Sequence, residues 1–244
     1  MNPVEQFKKE VNDRVASYEK ETELKHISKQ WVEKSMKKNY VYNFSWMGRP
    51  IIQFPEDIMA LQEIIMEIKP DVIIETGIAH GGSIIFSSSM LELLGGDRIV
   101  IAIDIDIREH NRKEIESHPM AKRITMIEGS SIDPELVAKV KELSKNYKKI
   151  MVCLDSNHTH DHVLQELELY SPLVSKDSYL VVLDTFVEDM PEKFFENRPW
   201  DVGNNPKTAV WEFLKKNDSF TIDQTLNNKL MISVAPDGYL KRIK

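Results

Sequence analysis

"IIETGIAHGGSIIF", Ile73 to Phe86, sets a carboxylate and three glycines between two apolar runs. An aliphatic run closing on Glu75, Thr76 and Gly77, then restarting after Gly81, Gly82 and Ser83, predicts a strand, a tight turn and a helix. Glycines at such a turn let the backbone approach a ligand closely. A dinucleotide turn needs G-x-G-x-x-G, so that backbone amides and a helix N-terminus reach a pyrophosphate. Here the glycine spacing is too long for that pattern, and Glu75 precedes the first glycine by two residues. A carboxylate there repels a phosphate and attracts a cation.

Outward from this turn, short apolar runs alternate with helical stretches. Residues 71–76, 98–104, 123–129, 149–155 and 178–184 are five near-continuous aliphatic runs, the signature of parallel strands covered on both faces. Two more runs near residues 219–225 and 229–243 read as an antiparallel pair. The expected fold is therefore α/β, a doubly wound Rossmann-like sheet of seven mostly parallel strands. Residues 4–39 carry Val4, Phe7, Val11, Val15 and Tyr18 at spacings of three and four among many charges, which predicts amphipathic helices. This divides the chain into an N-terminal helical arm, 1–45, and a catalytic domain, 46–244. Gly48, Pro50 and Pro55 predict an ordered loop between them, and the long irregular stretch after Asp184 reads as a functional lid.

The chain has 244 residues, 41% hydrophobic and 29% charged, enough apolar material for one large core. Its net charge of -7 argues against sequence-independent nucleic-acid binding, which rests on Lys and Arg. Cys153 is the only cysteine, so no intrachain disulfide and no multi-thiolate zinc site can form. A charged N-terminus without an apolar signal core, and no run long enough to span a bilayer, predict a cytoplasmic protein. The charged helical arm suggests a homo-oligomer.

Ligands of a doubly wound sheet sit at the carboxyl ends of its strands. Those ends carry Glu75, Asp104, Ser130 and Ser131, Asp155 with His158, and Asp184. A ligand bearing an ammonium, a sulfonium and a ribose suits Glu75 and Asp104, which describes S-adenosylmethionine. A nicotinamide-dependent oxidoreductase is the rival reading, and a noncatalytic S-adenosylmethionine-binding protein is another. Non-heme iron would need two His and one carboxylate. "DSNHTHDH" supplies Asp155, His158, His160 and His162, but on the wrong platform for that chemistry.

"ETGIAHGGS" resembles the turn of class I S-adenosylmethionine-dependent methyltransferases of the metal-dependent catechol type. With "LDSNHTHDHVLQELELYSPLV" and "SYLVVLDTFVEDMP", it more closely resembles the cephalosporin hydroxylase and rhamnosyl O-methyltransferase family, over about Trp46 to Ala235. The resemblance implies an O-methyltransferase acting on a hydroxyl of a sugar or small natural product. It places Glu75 and Gly77 along the cofactor's methionine part, Ser83 near its carboxylate, Asp104 at its ribose and Ser131 near its adenine. Thr76, Gly81, Gly82, Ile105, Ser130 and Asp155 complete the implied cofactor set.

Asp155 and Asp184 at neighbouring strand ends are hard oxygen donors of the kind magnesium prefers. In the resembling enzymes the general base lies three residues after the first acid, which here is His158. Those enzymes also carry a Glu directly before the second acid, where this chain has Leu183. Asp189, or its neighbour Glu188, is then the expected third ligand. Trp46, Gln53, Trp200 and Asn204 are candidate cleft walls.

Overall fold

The structure is a computed structural model and describes residues 2–244. Asn2 caps the first helix by accepting from Val4 N at 2.9 Å. The amphipathic spacing produces α1 (Pro3–Ser17) and α2 (Thr22–Met36), which bury Val15 and Val32 respectively. The segment expected as a loop instead contains a small hairpin, β1 (Phe44–Trp46) and β2 (Arg49–Ile51), joined through Met47 and Gly48 at positive φ. Its register pairs Ser45 with Pro50, a tolerable place for proline because the two-stranded sheet has only edges.

After α3 (Pro55–Ile68) the predicted alternation holds. The elements are β3 (Val72–Thr76), α4 (Gly82–Leu94), β4 (Ile99–Asp104), α5 (Glu109–Glu116), β5 (Ile124–Glu128), α6 (Pro134–Ser144), β6 (Ile150–Leu154), α7 (His160–Tyr170) and β7 (Tyr179–Val182). Then come α8 (Pro206–Lys216), β8 (Phe220–Ile222), the short α9 (Gln224–Lys229) and β9 (Tyr239–Arg242). The seven strands lie in the order β5-β4-β3-β6-β7-β9-β8, parallel except for β9, which is antiparallel to both neighbours.

The strands alternate their side chains between two apolar layers, as the pleat requires. Ile73 packs with α3 and α4, whereas Val72 and Ile74 pack with α6, α7 and α8. The run at 229–243 yields a much shorter strand than expected. Ser233 and the Val234 amide turn aside to donate to the Asp57 carboxylate at 2.6 and 2.8 Å, and Tyr239 OH donates to it at 2.8 Å. Asp57, in the first turn of α3, is fully buried, and burial pushes its carboxyl up to about 6.

Candidate active site

The turn after β3 is bound to its neighbours through backbone. Gly77 stands at φ 93, and a Cβ there would lie 2.0 Å from the Asp155 carbonyl. A Cβ on Gly82 would lie 2.1 Å from the Pro50 carbonyl, and one on Gly81 would strike Ile115. The close approach that these glycines permit is thus to protein: to β6's end, to the hairpin and to α5. Thr76 is likewise fully buried, its carbonyl accepting from Asp155 N at 2.9 Å.

Asp104 at the end of β4 folds its carboxylate over the same turn. Its Oδ2 accepts from Ile78 N at 2.7 Å and Ala79 N at 3.2 Å, and its Oδ1 accepts from Asp106 N at 3.1 Å. Arg49 of the hairpin donates through Nε and Nη2 to the His80 carbonyl at 3.0 and 2.7 Å. Asn111 of α5 accepts from Arg49 and donates to the Ala79 carbonyl. Arg49 and Asn111 escaped the sequence reading because nothing local links positions so far apart.

Inside this cradle Glu75 is 3% exposed; Ser87 Oγ lies 3.4 Å from its Oε2, and Oε1 has no partner. Burial pushes its carboxyl up to about 7, against the opposing pull of the Ser83 and Ser87 hydroxyls. A buried carboxylate oxygen without a donor costs free energy until a cation or N–H reaches it. Next along the strand end, Ile105 leaves an apolar side chain 73% exposed. Ser130 is half-buried, and Ser131 is buried with its Oγ 3.1 Å from His162 Nε2.

At the ends of β6 and β7, Asp155, His158 and Asp184 converge, with one donor atom from each lying within 4.8 Å of the others. His158 Nε2 is 3.0 Å from Asp184 Oδ2. The Trp200 ring meets the imidazole edge-on at 4.6 Å, so the long segment after Asp184 does close on this centre. Burial, then repulsion from Asp184, Glu75, Glu166 and Asp104, pushes the Asp155 carboxyl well above its ordinary range. Asp184 adopts φ 55, a left-handed conformation uncommon for a residue with a side chain.

Other expected site residues point elsewhere. Asp189 accepts from Lys207 Nζ at 2.7 Å, and Glu188 accepts from the Gly203 amide and the Asn205 side chain, so neither joins the three donors. A neighbouring ammonium and a helix cap have claimed them. His160 bonds Thr208 and faces Glu212 of α8, and His162 reaches Ser131 and Ser156. A two-His, one-carboxylate arrangement is therefore not formed by Asp155, His158, His160 and His162. Of the candidate walls, Trp200 lies on the centre, Asn204 accepts from His160 N, and Trp46 packs on Phe86 while donating to Ser89. Gln53 is buried with its carbonyl oxygen unpartnered.

Among known proteins, the family model described as rhamnosyl O-methyltransferase/CmcI matches residues 38–243. A rhamnosyl O-methyltransferase of Mycobacterium tuberculosis is 31% identical over 204 residues, covering 81% of this chain and 78% of the relative. A solved structure of CmcI with SAH aligns at TM-score 0.58 and 19% identity, covering 82% of this chain and 83% of that one. Another, of CmcI with Mg and SAM, aligns at TM-score 0.55 and 17% identity over 83% and 78%. The structural likeness is one of fold.

Proposed function

Because the chain belongs to the rhamnosyl O-methyltransferase/CmcI family, and is thus an O-methyltransferase, we propose that it moves the methyl group of S-adenosylmethionine to a hydroxyl of a sugar or small natural product, assisted by a divalent cation. The observation that carries this reading is the convergence of Asp155, His158 and Asp184 beside the unpartnered oxygen of Glu75. Glu75 fits the cofactor's ammonium, since a cation would satisfy Oε1 and favour the ionised acid. Asp104 retains lone pairs for ribose hydroxyls, exposed Ile105 offers an apolar surface to the adenine, and Ser83, Ser130 and Ser131 supply hydroxyls along the same edge.

The donor set fits a dication too. Asp155 and Asp184 would hold it through oxygen, and the relatives of this fold include a CmcI solved with Mg. Bound there, a dication makes an acceptor hydroxyl more acidic and fixes its position. Asp184 orients the imidazole by accepting from His158 Nε2 at 3.0 Å, the other ring nitrogen is then the one that takes the hydroxyl proton, and Trp200 limits the ring's rotation. The oxygen so freed would attack the sulfonium methyl in line, the O–CH3 bond forming as the S–CH3 bond breaks and S-adenosylhomocysteine leaves, and most of the acceleration would come from positioning.

Calorimetric titration tests the cofactor. S-adenosylmethionine binding in the micromolar range is expected, with no comparable response to NADH. NADH binding in the absence of S-adenosylmethionine binding would overturn the reading.

A further inference from the structure

Helix α7 carries His162, Glu166 and Tyr170 at intervals of four, so the three lie in one row along the helix. Val163 and Leu167 beside them supply the ordinary apolar contact with the sheet. The row of three is instead polar, although Glu166 and Tyr170 are fully buried. Each of its members has a partner past the end of β5 or β6. Tyr170 OH donates to the Ser131 carbonyl at 2.7 Å, and Ser156 Oγ donates to Glu166 Oε1 at 2.7 Å. His162 Nε2 lies 3.1 Å from Ser131 Oγ and 3.2 Å from Ser156 Oγ. The row thus ties the loop after β5 to the loop that begins at Asp155.

These contacts decide which ring nitrogen of His162 carries the proton. The single hydrogen of the Ser156 hydroxyl goes to Glu166, so toward His162 that hydroxyl can only accept, and Nε2 is the protonated nitrogen. Glu166 Oε1, 3.6 Å from Nε2, favours the same tautomer. Among the described residues Glu166 Oε2 is buried without a donor, which leaves the carboxylate to Ser156 and His162 alone. In the neutral imidazole Nδ1 is then an acceptor. Among the same residues Nδ1 has no hydrogen-bond partner, yet it is not one of the buried atoms left unpartnered, so it is open to solvent. Ser131 Oγ accepts from Nε2 as well, and keeps its own hydrogen to give.

Building on the methyltransferase reading, we propose that His162 determines which purine the cofactor carries, its Nδ1 accepting from the exocyclic amino group, and that Glu166 and Ser156 are positioning residues that hold its tautomer. Adenine presents an amino donor beside an accepting ring nitrogen. The Ser131 hydroxyl and His162 Nδ1 are the complementary donor and acceptor, and exposed Ile105 follows the neighbouring strand, β4.

The test is calorimetric titration of the full chain with S-adenosylhomocysteine and with its 6-deaminated analogue, which lacks only the amino group. The unsubstituted chain is expected to bind the analogue about tenfold more weakly, the effect of one hydrogen bond. In His162→Gln the amide takes the place of Nε2 and keeps the contacts with Ser131 and Ser156, but nothing stands at Nδ1. This variant is expected to bind S-adenosylhomocysteine about tenfold more weakly and the analogue as before, so that discrimination disappears. Glu166→Gln removes the charge that holds the proton on Nε2 and is expected to cut the discrimination by at least about threefold. Equal binding of the two ligands by the unsubstituted chain, or discrimination surviving in either variant, would overturn the proposal. So would a loss shared by both ligands in His162→Gln, because a merely structural role moves both alike. Failure of the unsubstituted chain to bind either ligand would instead overturn the methyltransferase reading, so the two failures are distinguishable.

Discussion

His158 Nε2 lies 3.0 Å from Asp184 Oδ2, and Asp184 holds that position at φ 55. Replacing Asp184 by glycine removes both the left-handed strain and a carboxylate that repels Asp155. Asp184→Gly is expected to stabilise the fold by about 1 kcal/mol while abolishing methyl transfer, measured by urea denaturation and by product formation. Unchanged turnover would remove Asp184 from the centre.

His158→Ala is expected to lower turnover by at least about a hundredfold, the ordinary worth of a general base, with S-adenosylmethionine affinity retained. Asp155→Asn should also abolish transfer. Its amide additionally relieves a carboxyl held above its ordinary range by burial and by four neighbouring acids, so thermal stability should rise. Single-turnover kinetics and thermal melts check both.

Glu75 gives a pH dependence of defined sign. Its carboxyl titrates near 7 in the unliganded protein, and only the ionised form pairs with an ammonium. Cofactor affinity should therefore weaken about tenfold for each pH unit below 7. Glu75→Gln should remove that dependence, bind the cofactor weakly at every pH, and fold more stably at neutral pH. Calorimetry across the range decides it.

Asp57 supplies a second titration. Its folded value, about 6, exceeds the ordinary 3.8, so the neutral acid is the form that the fold favours. Its contribution is full below about pH 4 and lost as pH rises through 6, a swing on the order of 3 kcal/mol. Asp57→Asn should flatten that part of the stability curve, although it is less stable at low pH because the buried donors of Ser233, Val234 and Tyr239 lose one of the oxygens that accept from them.

Arg49→Lys tests the clamp on the glycine turn. Lysine keeps the charge but not the forked contact to the His80 carbonyl and Asn111. Cofactor affinity should fall about tenfold while the melting temperature moves little. Gly82→Ala is the harsher counterpart, because the added carbon meets the Pro50 carbonyl and forces the hairpin away.

How much of this was legible in the sequence follows from how local each signal is. The aliphatic runs 71–76 and 149–155 announce parallel strands by themselves, and strand ends carry Glu75, Asp104, Asp155 and Asp184 to one edge. The hairpin at 44–51 was hidden because strands of three residues containing Pro50 have no period to read. Asp189 had the right chemistry for a ligand, but Lys207, eighteen positions away, claims it. Asp57 reads as a helix-start acid until the residues 176 to 182 positions beyond it are in place.

That last pairing governs the order in which the chain can mature during synthesis. Strand β9 is inserted between β7 and β8, so β8 has no partner in the sheet until residues 239–242 have left the ribosome. Until residues 233–239 have followed, the Asp57 carboxylate lacks its three donors, and the helix that bears it cannot settle without burying a bare acid. Parallel pairing through β3, β4, β5 and β6 can proceed earlier, leaving the β7 edge open. The nascent protein thus spends its vulnerable interval with one unprotected strand edge, and β9 ends that interval by completing the sheet and capping the acid in a single step.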